Sequence, residues 1–108
     1  MWAALEHVER VLAEGDAFSV KDLAAAVGAS PDHLARVFRA ATGRSPTQYF
    51  QNRRAQYAGL LLLDPRRSVT DVAYELGFAD AAHLSRSFRK LRGMSPRDYR
   101  REFLGAGA

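Results

Sequence analysis

A chain of 108 residues with 47% apolar side chains is long enough to bury one compact core or two very small ones. Its formal charge of +4 and pI near 10 suit an anionic partner such as nucleic acid, although charge alone fits an anionic membrane surface equally well. The lack of cysteine excludes a disulfide frame and a thiolate metal site, no apolar run approaches a membrane span, and the first residues carry no secretory pattern.

In chain order, the first predicted element is a helix over roughly Trp2 to Ala13. Leu5, Val8, Val11 and Leu12 recur there on one face before Glu14-Gly15-Asp16 breaks the pattern. Ser19 followed by Asp22 has capping-box spacing and opens a second, short helix that Gly28 ends. Ser30-Pro31 opens a third, with a cap and then proline at the first helical position. Leu23, Val27, Leu34 and Val37 close a small core between them, and Ala24 suits a close crossing of two helices. Ser45-Pro46 starts a longer helix that runs to about Leu62 and stops before Asp64-Pro65. At 1.5 Å per residue this is a rod of roughly 25 Å. Gly59 inside it costs about 1 kcal/mol against alanine.

From Ser68 the chain repeats itself. Ser19 to Tyr49 reappears as Ser68 to Tyr99, with an offset that grows by one residue on the way. Ser68 with Asp71, Gly77, a helix start near Asp80, His83-Leu84-Ser85-Arg86-Ser87-Phe88-Arg89 and Gly93-Met94-Ser95-Pro96 restate the first copy piece by piece. Val72, Leu76, Phe78, Leu84 and Phe88 form the second small core, Ala73 restates Ala24, and a last helix runs from Ser95-Pro96 to about Phe103. Two copies are too few for a solenoid, so this is a duplicated module. The expected architecture is all-α, with about seven helices in two helix-turn-helix units joined by a long helix. Residues 1–50 hold the opening helix and the first unit, 45–63 the connecting helix, 66–104 the second unit, and 105–108 a flexible tail.

A short helix, a glycine turn and a second helix is the helix-turn-helix pattern, whose second helix enters the major groove of DNA. In helix phase, Leu34, Val37 and Phe38 point inward and leave Asp32, Ala35, Arg36 and Arg39 on the opposite face. In the second copy Leu84 and Phe88 point inward and leave Ala81, Ala82, Ser85, Arg86 and Arg89 outside. The basic residues gather late in the chain, from Arg86 through Arg89, Lys90, Arg92, Arg97, Arg100 and Arg101.

Val72-Ala73-Tyr74-Glu75-Leu76-Gly77-Phe78-Ala79-Asp80, continuing to Phe88-Arg89-Lys90 and Gly93-Met94-Ser95-Pro96-Arg97-Asp98-Tyr99-Arg100, resembles the DNA-binding domain of the AraC/XylS family of bacterial transcription regulators. The resemblance runs from about Val8 to Phe103. It implies base-facing positions at Asp32, Ala35 and Arg36 and at Ala81, Ala82, Ser85 and Arg86. Arg36 and Arg86 can each make a bidentate pair with guanine O6 and N7; the alternative is an ion pair with Asp32 or Asp80. Arg39, Arg89 and Lys90 are candidates for phosphate. His33 and His83 are candidates for phosphate or for half-buried packing. Arg53 stands where the family usually carries an apolar residue, and Asp32 sets a negative charge against the base edges.

Other chemistries find little footing. His7, His33 and His83 lie far apart without a carboxylate at ligand spacing, so no metal or cofactor is expected, and no nucleophile group or phosphate loop points to an enzyme. The expected function is sequence-specific binding of double-stranded promoter DNA in the cytoplasm of a bacterium. One monomer would read an asymmetric site through two helices in major-groove turns about 34 Å apart. The alternatives are a protein-interaction module and a non-specific nucleoid or membrane-surface binder. The resemblance further implies contact with RNA polymerase and, in many family members, an effector or dimerisation domain on a longer chain. The length suits either a small stand-alone regulator or one domain of a larger one, and Trp2 either covers the core or marks a surface for such a domain.

Overall fold

The structure is a computed structural model that describes residues 1–105. Seven helices and no strand form among the described residues: α1 (Trp2–Glu14), α2 (Val20–Val27), α3 (Pro31–Thr42), α4 (Pro46–Leu61), α5 (Val69–Glu75), α6 (Ala81–Arg92) and α7 (Pro96–Leu104). The all-α architecture with two helix-turn-helix units therefore stands. Gly105 closes α7 by donating its N–H to the Arg101 carbonyl, and the rest of the expected tail, 106–108, lies outside the described residues.

Side-chain caps set the helix starts. The hydroxyl oxygens of Ser19, Ser30, Ser68 and Ser95 accept the N–H of the residue three places on, and the Asp80 carboxylate does the same for α6. At Ser68 the box is reciprocal, because the Asp71 carboxylate also accepts the Ser68 N–H at 2.9 Å. Ser45 and Gln48 exchange the same pair of bonds at the start of α4. Gly28 at φ 70° and Gly77 at φ 78° take the left-handed turn between the two helices of each unit.

The chain forms two compact units, Met1–Asn52 and the part from Arg53 onward, and the division falls inside α4. In the first unit α1 packs on α2 and α2 on α3. Ala4, Val8, Val11, Leu12, Leu23, Ala24, Leu34 and Phe38 are buried there. Phe18 stacks on Phe50 at 4.4 Å, and Phe38 meets Tyr49 edge-on at 5.5 Å. Val27 and Val37, expected in that core, and Leu5, expected on the buried face of α1, are only half-buried. Trp2 is 74% exposed, so it does not cover the core.

In the second unit α5 packs on α6 and α6 on α7. Ala58, Leu62, Val72, Ala73, Leu76, Phe78, Leu84 and Phe88 form one buried cluster, with Tyr57, Leu61, Val69 and Tyr99 against it. Phe88 meets Tyr99 edge-on at 5.2 Å, the counterpart of Phe38 and Tyr49. The added residue that shifts the repeat lies in the turn after the glycine: Ala29-Ser30 precedes α3, whereas Phe78-Ala79-Asp80 precedes α6. Phe78 reaches the core and carries the Arg54 guanidinium 3.8 Å above its ring. Burial there holds the Arg54 pKa below its ordinary value. The half-buried Arg53 donates to Gln56 Oε1 at 2.6 Å and lies 5.0 Å from the Tyr57 ring centroid.

Candidate nucleic-acid interface

α3 and α6 are the second helices of the two units, and each is anchored by a leucine and a phenylalanine one turn apart. Leu34 and Phe38 are buried on α3, as are Leu84 and Phe88 on α6. These anchors fix which residues remain outside. On α3, Asp32, Arg36 and Arg39 are exposed and Ala35 is half-buried. On α6, Ala82, Arg86, Arg89 and Lys90 are exposed, while Ala81 and Ser85 are half-buried. Each predicted set therefore lies together on one helix.

The ion-pair alternative for the two arginines finds no support. Among the described residues neither Arg36 nor Arg86 enters an ion pair. Asp80 is instead the cap of α6, accepting the His83 N–H at 2.8 Å. Both guanidinium groups keep their donor forks free for an external acceptor.

The two histidines differ. His33 is exposed on α3, whereas His83 is half-buried, with its ring edge-on to Phe78 at 5.1 Å. His83 Nδ1 accepts the Ala79 N–H at 3.3 Å, which leaves Nε2 as the ring nitrogen able to donate to a further partner. His83 thus packs and still holds one donor, so the two alternatives for it are compatible.

A polar cleft of about 440 Å³ opens beside α6, lined by Val69, Thr70, Ala81, Ser85, Ser95, Pro96 and Arg97. Two predicted base-facing residues, Ala81 and Ser85, share it with Thr70, Ser95 and Arg97, to which sequence reasoning gave no place in the interface. A signal for the last two existed: a Ser-Pro helix start followed by arginine places a cation at the positive end of α7.

The late cluster of basic residues is not one continuous face. Arg100 is turned inward, where its Nε donates to the Leu62 carbonyl at 2.9 Å and its Nη2 to the carbonyls of Asp64 and Arg67. Arg101 lies 3.6 Å from Asp98. Arg86, Arg89, Lys90, Arg92 and Arg97 remain exposed without an ion pair among the described residues. Away from this face, Asp64 bridges Arg66 and Arg67, and Arg67 also reaches Glu75 at 2.9 Å. Hydrogen bonds from the Arg66 side chain and backbone, aided by the charges of Arg66 and Arg67, hold the Asp64 carboxyl below the usual carboxylate range. The Ser68 N–H and hydroxyl do the same for Asp71.

No helix among the described residues is long and apolar enough to cross a membrane, and no group of three or more potential metal ligands forms among them.

A family model described as a helix-turn-helix domain matches residues 23–102. The MmsAB operon regulatory protein of Pseudomonas aeruginosa is 38% identical over 78 residues, which cover 72% of this chain and 25% of that protein. The chain spans about a quarter to a third of the length of the curated relatives it matches. Among solved structures, the DNA-binding domain of AdpA, a global transcriptional factor in complex with a target DNA, matches with a TM-score of 0.83. That match has 33% identity and covers 94% of this chain and 92% of the other. A transcriptional regulator from Chromobacterium violaceum, described among AraC-type DNA-binding domain-containing proteins, also reaches 0.83, at 27% identity over 94% and 88% of the two chains. With most of α2 and all of α3, α5 and α6 inside the matched span, the chain belongs to the AraC/XylS family of bacterial transcription regulators, as their two-unit helix-turn-helix DNA-binding domain.

Proposed function

We propose that the chain reads a specific, asymmetric promoter sequence in duplex DNA as a monomer, with α3 and α6 entering successive major-groove turns. The observation that carries this reading is the duplicated, exposed arginine, Arg36 and Arg86, without an ion pair and in the second turn after the capped start of each second helix. A guanidinium fork so presented matches guanine O6 and N7, with about 1–3 kcal/mol of discrimination per pair. Asp32 and Ala35 flank Arg36, and Ala81, Ala82 and Ser85 flank Arg86, as the further base-facing residues. His33, Arg39, His83, Arg89 and Lys90 contact phosphates, and the Thr70, Ser95 and Arg97 cleft seats one more beside α6.

Because the two units are alike but not identical and follow one another in a single chain, their target has no twofold symmetry. A role at promoters in the bacterial cytoplasm, contact with RNA polymerase, and an effector or dimerisation domain elsewhere on a longer chain complete the reading by analogy with the family. The reading is of a regulator and not of an enzyme.

Selection of a random duplex library on the purified protein, followed by titration of the enriched sequence and a scrambled control near physiological salt, tests the proposal. The expected motif is asymmetric, with two blocks about one helical turn apart. Arg36→Ala and Arg86→Ala should each weaken a different block. No enrichment, with equal binding of the scrambled duplex, would sink the sequence-specific reading.

A further inference from the structure

The duplication makes each half a control for the other. Up to Asn52 the chain carries five Lys and Arg against six Asp and Glu; from Arg53 it carries eleven against six. Part of that surplus is already engaged: Arg54 lies over Phe78, Arg66 and Arg67 pair with Asp64, and Arg100 binds backbone carbonyls. The remainder is concentrated on α6 and the start of α7.

The difference is sharpest on the two second helices. α6 carries Arg86, Arg89, Lys90 and Arg92 with no acid, whereas α3 carries Arg36 and Arg39 together with Asp32. At matched positions Lys90, Arg92 and Arg97 correspond to Ala40, Thr42 and Thr47, and Asp32 corresponds to Ala82. The first copy has cations of its own at Lys21 and Arg44, where the second has Thr70 and Met94, but neither lies on α3. Asp32 is exposed and enters no ion pair among the described residues.

Against a polyanion these two differences do different things. Cations release condensed counterions from a duplex of any sequence, which raises affinity and makes it salt-dependent. An unneutralised carboxylate on a groove-facing helix is repelled by duplex in general, and is compensated where a cytosine N4 amino group donates to it.

We infer that the two units divide the work unequally: beyond the base reading by Arg36 and Arg86, the unit from Arg53 onward supplies most of the sequence-independent affinity through Lys90, Arg92 and Arg97, and the first unit adds a discrimination of its own, with Asp32 as its selectivity residue for cytosine. This rests on the duplex-DNA reading above. Asp32 also sits in the first turn of α3, where an acid complements the helix dipole, but that role would leave the preference between two duplexes unmoved.

The test uses the full chain and fluorescence anisotropy of its selected duplex and a scrambled one across a salt series. Lys90→Ala with Arg97→Thr installs the first copy's residues, and lowers the slope of log affinity against log salt by about 2, weakening both duplexes alike. The mirror exchange, Lys21→Thr with Arg44→Met, lowers it by less than about 1. Asp32→Asn tightens binding of the scrambled duplex and narrows the ratio of selected to scrambled affinity by about fivefold or more.

Equal slope losses from the two exchanges, or an unchanged ratio in the Asp32→Asn chain, overturn the inference with DNA binding intact. A library that enriches no motif overturns the sequence-specific reading and the Asp32 role with it, while the slopes on scrambled duplex still decide which unit holds the affinity. Wild-type protein that binds no duplex overturns both.

Discussion

Arg100 and Arg86 are both arginines of the late basic cluster, yet they have opposite surroundings. Arg100 supplies donors to three carbonyls in the segment that follows α4, those of Leu62, Asp64 and Arg67, and Arg86 is exposed. Nothing local distinguishes them, because the carbonyls that hold Arg100 lie more than thirty residues away in sequence. Residues whose roles follow from helix phase, such as Leu34, Phe38, Leu84 and Phe88, were legible, and so were the exposed Arg36 and Arg86. The polar cleft beside α6 was not, since it gathers residues from three helices. Asp64 supports a prediction at this scale. A carboxyl held below its ordinary pKa adds stability that is complete above the unfolded value of about 4, and that stability is lost as pH falls through the lower folded value. The Asp64→Asn chain should therefore lose less stability on acidification below about pH 4 than the parent does. Urea midpoints across that range measure it, and identical acid limbs would show that the Asp64 network adds nothing.

At the level of whole helices, chemistry at the ends was the readable part. Ser19, Ser30, Ser68, Asp80 and Ser95 cap the helices that their spacing predicted, because a cap and its N–H partner lie three residues apart. α1 ends at Glu14 and α4 at Leu61, each one residue from its expected end. The interior of α4 was less readable, and Gly59 shows why. By propensity alone it is a fault of about 1 kcal/mol, yet a Cβ built there would stand 3.2 Å from the Tyr99 Oη. Tyr99 is held between Phe88 and Phe103, at 5.2 and 4.7 Å, so it has little room to withdraw. Gly59→Ala should consequently come out near neutral, and the double variant with Tyr99→Phe should recover about 1 kcal/mol of helix propensity. A double-mutant cycle by chemical denaturation reads the coupling; additive effects would mean that the close approach does not constrain position 59.

For the molecule as a whole, the division inside α4 has a direct consequence for folding. Ala58 and Leu62, both fully buried, belong to the core of the second unit although they precede its helix-turn-helix motif. A fragment beginning at Pro46 should fold with dispersed amide resonances, and one beginning at Arg66 should not, because it loses those two residues and the carbonyls of Leu62 and Asp64 that Arg100 binds. A folded Arg66 fragment would show that α4 is dispensable to that unit. Two units and a long helix were visible in the repeat itself, but the division inside the helix was not, since only the packed cores show that Phe50 joins the first and Ala58 and Leu62 the second.

The extra residue in the second turn, Phe78-Ala79-Asp80 against Ala29-Ser30, also bears on how such a chain changes over generations. In a twofold dimer every inherited substitution is made twice and alters both half-sites together. Here the copies share one gene but not one register, and each has its own aromatic packing and its own cap. On the proposed reading, a single mutation would revise one block of the target and leave the other as an intact foothold, so recognition would drift half a site at a time.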